Sequence, residues 1–108
     1  MNLAEIQDLI GKGRYEFSEH AQRERLDDDL DVTEIEAALL GGEILEQYPD
    51  DPRGESCLVL GFAGPRPVHV VVGWASHGDR DRAALRLITV YVPQPRKWSD
   101  PRTRGGKS

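Results

Sequence analysis

The sequence predicts an α+β fold in which N-terminal helices pack on one face of a twisted, mainly antiparallel sheet of four to five strands. Apolar residues recur at helical spacing only up to about residue 42, and beyond it they form short runs separated by turn residues. The links between these later runs are too short for parallel crossover connections. The length of 108 residues fits a single small domain.

A helix and a short strand open the chain. In NLAEIQDLIGKG, residues 2–13, apolar residues recur every three or four positions, Asn2 can cap the start and Gly11 marks the end. RYEFS, residues 14–18, alternates apolar and charged side chains, which is typical of a half-buried strand. We therefore expect one helix followed by one short strand.

Two more helices precede the sheet. Ser18 is a favourable N-cap for a helix through EHAQRERLDDD, residues 19–29. In DVTEIEAALLGG, residues 31–42, Thr33 and Glu36 have the spacing of a capping box. This third helix presents one apolar stripe to the core, formed by Val32, Ile35, Ala38 and Leu39.

Four strands complete the predicted domain. Their sequences are EILEQYP, SCLVLGFA, VHVVVGWAS and AALRLITVYVP, at residues 43–49, 56–63, 68–76 and 83–93. Pro93 and Pro95 end the sheet. We assign a single domain to residues 1–98 and expect a basic, disordered tail at residues 99–108.

The charge of the chain is unevenly distributed. The net charge is -5 at pH 7, which by itself argues against binding to phosphate. However, the segment from Asp27 to Glu55 holds eleven acids and one base, Arg53, so the rest of the chain carries a net positive charge. This chain can therefore have a basic surface although it is acidic overall. Such charge blocks can equally be solvated faces.

Cysteine content and hydropathy narrow the class of protein further. Cys57 is the single cysteine, which excludes an internal disulfide and a Cys-rich zinc site. No apolar run is long enough to cross a bilayer, and the N-terminus carries acids where a secretory signal would carry bases. We expect a cytoplasmic protein with no membrane partner.

His20 and Arg23 are the sharpest candidates for chemistry. If Ser18 caps the second helix, His20 lies in its first turn, where the helix dipole favours a neutral imidazole that can act as a base. Arg23 follows at i+3 on nearly the same face, whereas Arg25 at i+5 points elsewhere. The alternative is a hydrogen-bonded histidine at a helix start beside a surface arginine.

The strands supply further candidates. Strict alternation places His69 on the face opposite Trp74, where it either lines a cleft or is a satisfied core histidine. In the last strand, alternation places Arg86 with Ile88, Val90 and Val92, opposite a face formed by Leu85, Leu87, Thr89 and Tyr91. Arg86 requires an anionic partner, which is either a ligand or one of the chain's own acids.

Bases and an aromatic residue follow the last strand. Arg96, Lys97 and Trp98 in PQPRKW form a plausible platform for an RNA backbone and a stacked base. Trp98 can equally anchor the tail on the sheet. A metal site from His20, His69 and His77 has no motif spacing to support it, and we expect no metal and no cofactor.

Four segments together resemble a known family. The segments YEFSEHAQRE, DVTEIEAALLGGEILEQYPDD, CLVLGFAGPRPVHVVVGW and LRLITVYVPQPRKW, within residues 14–98, are similar to small proteins of the RelE/ParE-like toxin superfamily near the BrnT group. The match includes S-x-H-A, the R-P-x-H-V-V hairpin and I-T-V-Y-x-P. Two positions of the second helix, Glu24 and Arg25, depart from the pattern of that group.

The resemblance implies a toxin of a type II toxin–antitoxin system that cleaves mRNA, free or on the ribosome, without a metal. Its partner would be an antitoxin with a DNA-binding or zinc-finger domain. His20 would act as base or acid, with His69 as the alternative proton carrier. Arg23 and Arg86 would bind the phosphate and Tyr91 would orient it. The RNA backbone and a stacked base would be bound by Arg96, Lys97 and Trp98. A non-catalytic binding module with the same fold is the alternative.

Overall fold

The structure, a computed structural model, describes residues 1–75, 84–93 and 98–104. Within these residues the elements are α1 (Leu3–Gly11), β1 (Tyr15–Phe17), α2 (Glu19–Asp27), α3 (Val32–Leu40), β2 (Glu43–Tyr48), β3 (Ser56–Ala63), β4 (Arg66–Trp74), β5 (Leu85–Tyr91), β6 (Trp98–Asp100) and β7 (Thr103–Arg104). No helix in this part of the chain is long and apolar enough to cross a membrane.

The main sheet has five strands in the order β1-β5-β4-β3-β2. Strands β2 to β5 pair antiparallel, as the short links predict, while β1 pairs parallel with β5 through Tyr15 opposite Leu85. The predicted α+β fold, with N-terminal helices on one face of a mainly antiparallel sheet, is confirmed. The sheet is mixed because β1 and β5 pair parallel. Such a pair requires a long connection, and the chain between these two strands contains the other three strands of the sheet.

Polar side chains cap each helix. The side chains of Asn2 and Ser18 accept hydrogen bonds from Glu5 N and Ala21 N, as the sequence predicts for the first two helices. The predicted capping box of α3 is wrong by two residues. It is formed by Asp31 and Glu34, because the Asp31 carboxylate accepts from Glu34 N at 2.8 Å and the Glu34 carboxylate accepts from Asp31 N at 3.0 Å.

The core lies between the three helices and one face of the sheet. Buried residues of the helices, among them Ile6, Ala21, Ile35 and Leu39, meet alternate residues of β3, β4 and β5. Helix α3 approaches β3 so closely that a side chain at Gly61 would lie 1.9 Å from the carbonyl oxygen of Ala38. The absence of a Cβ at this position therefore sets the distance between helix and sheet.

A β-bulge in β5 changes which side chains share a face. Val71 of β4 lies opposite Thr89, but the next residue, Val72, lies opposite Leu87, so Ile88 is an extra residue. The strict alternation predicted for this strand is therefore wrong after the bulge. Val90 packs in the core and Val92 against it, whereas Ile88, Thr89 and Tyr91 lie on the other face with Arg86; Tyr91 is paired there with His69.

The C-terminal segment, residues 98–104, crosses the face of the sheet that the helices leave open. Glu43, Leu60, His69 and Tyr91 form one row of paired residues across four strands. The Pro101 carbonyl accepts a hydrogen bond from His69, and Arg102 forms an ion pair with Glu43 at 2.6 Å. Since Leu60 lies between these two contacts in the row, the segment passes over it, which explains why Leu60 is 1% exposed.

Part of the predicted tail is thus in contact with the sheet. Residues 98–104 contain the two short antiparallel strands β6 and β7. Residues 105–108 lie outside the described residues. The division of the chain at residue 98 stays a prediction.

Candidate functional site

The open face of the sheet contains a cleft of about 970 Å³ beside the C-terminal segment. Its walls come from the start of α2, the turn between β2 and β3, and the ends of β3, β4 and β5 that lie away from the segment. Three basic side chains line it, His20, Arg53 and Arg86, together with the acids Asp51 and Glu55. The acidic block of the sequence therefore ends at the cleft.

His20 is held at the cleft by the cap of α2. The Ser18 hydroxyl accepts from Ala21 N at 2.9 Å and donates to the Ile88 carbonyl at 2.8 Å, which ties the start of the helix to the bulge of β5. The His20 side chain is 59% exposed, and its Nε2 lies 3.2 Å from the Glu24 carboxylate. The imidazole is thus accessible from the cleft, and its contact with Glu24 of the same helix orients it.

Arg86 lies on the cleft side of β5 and pairs with one of the chain's own acids. Glu16 is opposite Arg86 in the parallel register of β1 and β5, and its carboxylate is 2.5 Å from Arg86 Nη1. Both side chains are partly exposed, Arg86 by 40%. The sequence allowed either a ligand or one of the chain's own acids as the partner of Arg86. The structure shows the acid, Glu16, and the guanidinium still reaches solvent in the cleft.

Arg53 is a cleft residue that sequence reasoning did not select. It lies in the turn after β2, where Asp51 accepts hydrogen bonds from its backbone N–H and its guanidinium. These bonds lower the pKa of Asp51 and raise that of Arg53. The side chain is 84% exposed. Its position as the one base within the acidic block was the available signal.

His69 and Tyr91 are placed outside the cleft. His69 is 0% exposed and lies beneath the C-terminal segment. Its Nδ1 is 3.2 Å from the Tyr91 hydroxyl, and its Nε2 is 2.7 Å from the Pro101 carbonyl. Since this carbonyl can only accept, Nε2 carries a proton and donates. The pair therefore fastens the C-terminal segment to the sheet.

The remaining predicted residues are not brought to the cleft by the described structure. Arg23 is exposed on α2 and does not line the cleft. Arg25 is used structurally, with its guanidinium 5.6 Å from the centre of the Phe17 ring. Arg96, Lys97 and His77 lie outside the described residues, as does the side chain of Trp98, whose backbone begins β6. Of the site residues predicted from the sequence, His20 and Arg86 line the cleft together.

The electrostatics of the cleft are balanced locally. Each of its basic side chains has a carboxylate partner, because Glu24, Asp51 and Glu16 pair with His20, Arg53 and Arg86. Among residues 1–75, 84–93 and 98–104, no three His, Cys, Asp or Glu side chains are grouped so that they could hold a metal ion. The arrangement can bind an anion by exchange with these carboxylates and can transfer a proton through His20.

An α+β domain with helices on one face of the sheet and a cleft lined by His20, Arg53 and Arg86 on the other defines the class of this protein. The model of one family, described as Domain of unknown function (DUF4258), matches residues 17–92, and the chain belongs to this family. Comparisons with curated proteins and with solved structures found no match. The matched range includes His20, Arg53 and Arg86, while α1 and the C-terminal segment lie outside it.

Proposed function

We propose that this chain is a RelE/BrnT-like toxin of a toxin–antitoxin pair that cleaves mRNA in the cleft without a metal. The observation that supports this most directly is that His20 and Arg86, which lie far apart in the sequence, line the same cleft. A base and a cation near one phosphate are the groups that metal-independent RNA cleavage requires. The proposed protein partner is an antitoxin with a DNA-binding or zinc-finger domain.

In the proposed reaction, the neutral imidazole of His20 takes the proton of a ribose 2′-hydroxyl, and the 2′-oxygen attacks the adjacent phosphorus. The P–O5′ bond breaks and the 5′-oxygen takes a proton from water, which leaves a 2′,3′-cyclic phosphate and a 5′-hydroxyl. The His20 imidazolium then gives its proton to the resulting hydroxide. Arg86 stabilises the charge of the pentavalent intermediate.

The other basic residues have different parts in this proposal. Arg53 binds a neighbouring phosphate, because its exposed guanidinium lies on another wall of the same cleft. His69 and Tyr91 hold the C-terminal segment and do not contact RNA. The roles expected for Arg23, Arg96, Lys97 and Trp98 on the RNA stay predictions.

Purified protein, free of any antitoxin, tests the proposal on single-stranded RNA in the presence of a metal chelator. We expect cleavage that leaves 2′,3′-cyclic phosphate ends, and a loss of roughly 10²- to 10⁴-fold in rate for His20→Ala and about 10²-fold for Arg86→Ala. Lys12→Ala is the control, because Lys12 is exposed at the end of α1 and pairs with Asp8 of the same helix. RNA left intact by the folded wild-type protein would refute the proposal.

A binding module that cleaves nothing is the second candidate. The observation in its favour is that each basic side chain of the cleft already has a carboxylate partner, so that RNA must compete with Glu16, Glu24 and Asp51. This candidate predicts that the wild type and all variants leave RNA unchanged. It also predicts that expression of the wild type and of His20→Ala has the same effect on growth.

A further inference from the structure

Glu24 connects the candidate base to the sheet. Its Oε1 accepts a hydrogen bond from Val90 N at 2.9 Å, and its Oε2 lies 3.2 Å from His20 Nε2. The Val90 N–H is available because β1 pairs with β5 only as far as Phe17 opposite Leu87. The Glu24 side chain is 25% exposed, which is less than half the exposure of His20. Glu24 is therefore fixed at one oxygen by the backbone of β5 and meets the imidazole with the other.

We propose that Glu24 is a positioning residue that selects the tautomer of His20 with the proton on Nε2. A carboxylate can only accept a hydrogen bond, so a neutral imidazole beside it places its N–H on the nitrogen that faces the carboxylate. Nδ1 is then the nitrogen with a free lone pair. Building on the proposed function, Nδ1 is the atom that takes the proton from the ribose 2′-hydroxyl.

The position of Glu24 makes this more than an ordinary pair of charges on a helix surface. An exposed i,i+4 pair has two mobile side chains and orients neither of them well. Here the carboxylate is held by the N–H of a strand whose bulge also lines the cleft. The imidazole is consequently oriented relative to β5, the strand that presents Arg86, and not only relative to its own helix.

The substitution Glu24→Gln gives a sharp test, because it retains the shape of the side chain. The amide oxygen can still accept from Val90 N, which turns the amide N–H₂ towards His20. An amide donor facing Nε2 favours the opposite tautomer, with the proton on Nδ1 and no lone pair there for the reaction. Glu19→Gln is the matched control, since Glu19 is on the same helix, exposed, and does not line the cleft.

The tautomer is read from the ¹⁵N shifts of the imidazole at alkaline pH, where imidazoles are neutral. The His20 signals are assigned by their loss in His20→Gln. We expect the Nε2–H form in the wild type and in Glu19→Gln, and the Nδ1–H form in Glu24→Gln. The same tautomer in all three proteins, or a mixture unaffected by Glu24→Gln, would overturn the inference.

The kinetic measurement uses the same variants on RNA. We expect Glu24→Gln to lower kcat by roughly 10²- to 10⁴-fold with KM changed less than about twofold, because the phosphate contacts remain. Glu19→Gln should retain the wild-type kcat. If wild-type protein does not cleave RNA, the proposed function fails, and the spectra still decide whether Glu24 selects the tautomer. Cleavage unaffected by Glu24→Gln would overturn the inference and leave the proposed function standing.

Discussion

At the scale of single residues, Tyr15 shows how burial and a neighbouring acid act together. Its hydroxyl donates a hydrogen bond to the Glu36 carboxylate, and its ring packs edge-on against Phe17 with centroids 5.8 Å apart. Burial, together with the hydrogen bond and the negative charge of Glu36, raises the pKa of Tyr15 from 10.0 to about 12. The folded state therefore favours the protonated phenol more strongly than the unfolded state does.

The pH dependence of stability follows from this shift. Because the pKa of Tyr15 is higher in the folded state, its contribution is fully present below pH 10.0 and is lost as the pH rises towards about 12. We expect Tyr15→Phe to cost about 1 kcal/mol at neutral pH and to flatten the decrease in stability between these two pH values. Urea unfolding at a series of pH values measures both effects. A decrease as steep in Tyr15→Phe as in the wild type would contradict the assignment.

At the scale of elements, acids of α2 and of its C-cap accept hydrogen bonds from β5 where the pairing with β1 ends. Beyond Leu87, no strand among the described residues pairs with β5 on the side of β1, and acids one helical turn apart accept from its N–H groups. Glu24 accepts from Val90 N, and Asp28 accepts from Val92 N at 2.8 Å. The i,i+4 spacing of the acids thus matches the two-residue repeat of the strand's N–H groups.

Removal of one of these acceptors should weaken the docking of α2. We expect Asp28→Ala to lower the free energy of unfolding by about 1 to 3 kcal/mol, because it leaves the part-buried Val92 N–H without its acceptor. Asp28→Asn retains an oxygen acceptor and should cost less. Chemical denaturation of the three proteins measures the difference. Equal losses in both variants would show that the charge of Asp28, and not its hydrogen bond, stabilises the contact.

Elements of the fold were more predictable than the faces of their side chains. Helical spacing and turn residues located α1 to α3 and β1 to β5, because apolar periodicity reflects burial directly. The capping box of α3 was misplaced because Thr33 and Glu36 have the same spacing as Asp31 and Glu34. The faces of β5 from Thr89 onward could not be predicted, because a bulge has no fixed signature in the sequence.

Residues of the candidate site were predictable only where a local sequence pattern determines their position. His20 was found because Ser18 is a recognisable cap, and Arg86 because a charge within an apolar strand is unusual. Arg53 was missed because its place in the cleft depends on how the turn between β2 and β3 folds over the sheet. The burial of His69 depends on a contact with Pro101, 32 positions further along the chain, which no local pattern reveals.

At the scale of the whole molecule, the described elements cover one face of the sheet and part of the other. The helices cover one face, and the C-terminal segment covers the row of Glu43, Leu60 and His69 on the other. Leu58, on the same side as Leu60, is also only 1% exposed. The cleft lies on the same face beside this segment, so the contacts of the segment bound it on that side.

A chain that ends at residue 97 tests the contribution of this cover. We expect the truncation to lower the free energy of unfolding by about 2 kcal/mol, the magnitude for uncovering one leucine side chain. Arg102→Ala is the comparison variant, because it keeps the rest of the segment, and the exposed ion pair with Glu43 that it removes should cost at most about 1 kcal/mol. Urea unfolding gives the free energies. A truncated protein as stable as the full chain would show that the segment is not what covers Leu60.

The reactivity of Cys57 gives an independent measurement on the same proteins. Its side chain is buried, and burial raises the pKa of the thiol to about 11, so it reacts with a thiol reagent only when the structure opens. The truncated chain should therefore be labelled faster than the full chain, and Arg102→Ala at nearly the rate of the full chain.

The bulge in β5 also determines how the strand can change in length. Two neighbouring residues, Ile88 and Thr89, share the position opposite Val71, and the strand continues afterwards with Val90 inward and Tyr91 outward. A chain one residue shorter at this point would keep the same side chains in the core, whereas a deletion elsewhere in the strand would turn its remaining residues over. The wall of the cleft is thus the place in β5 where the deletion of one residue leaves the core composition unchanged.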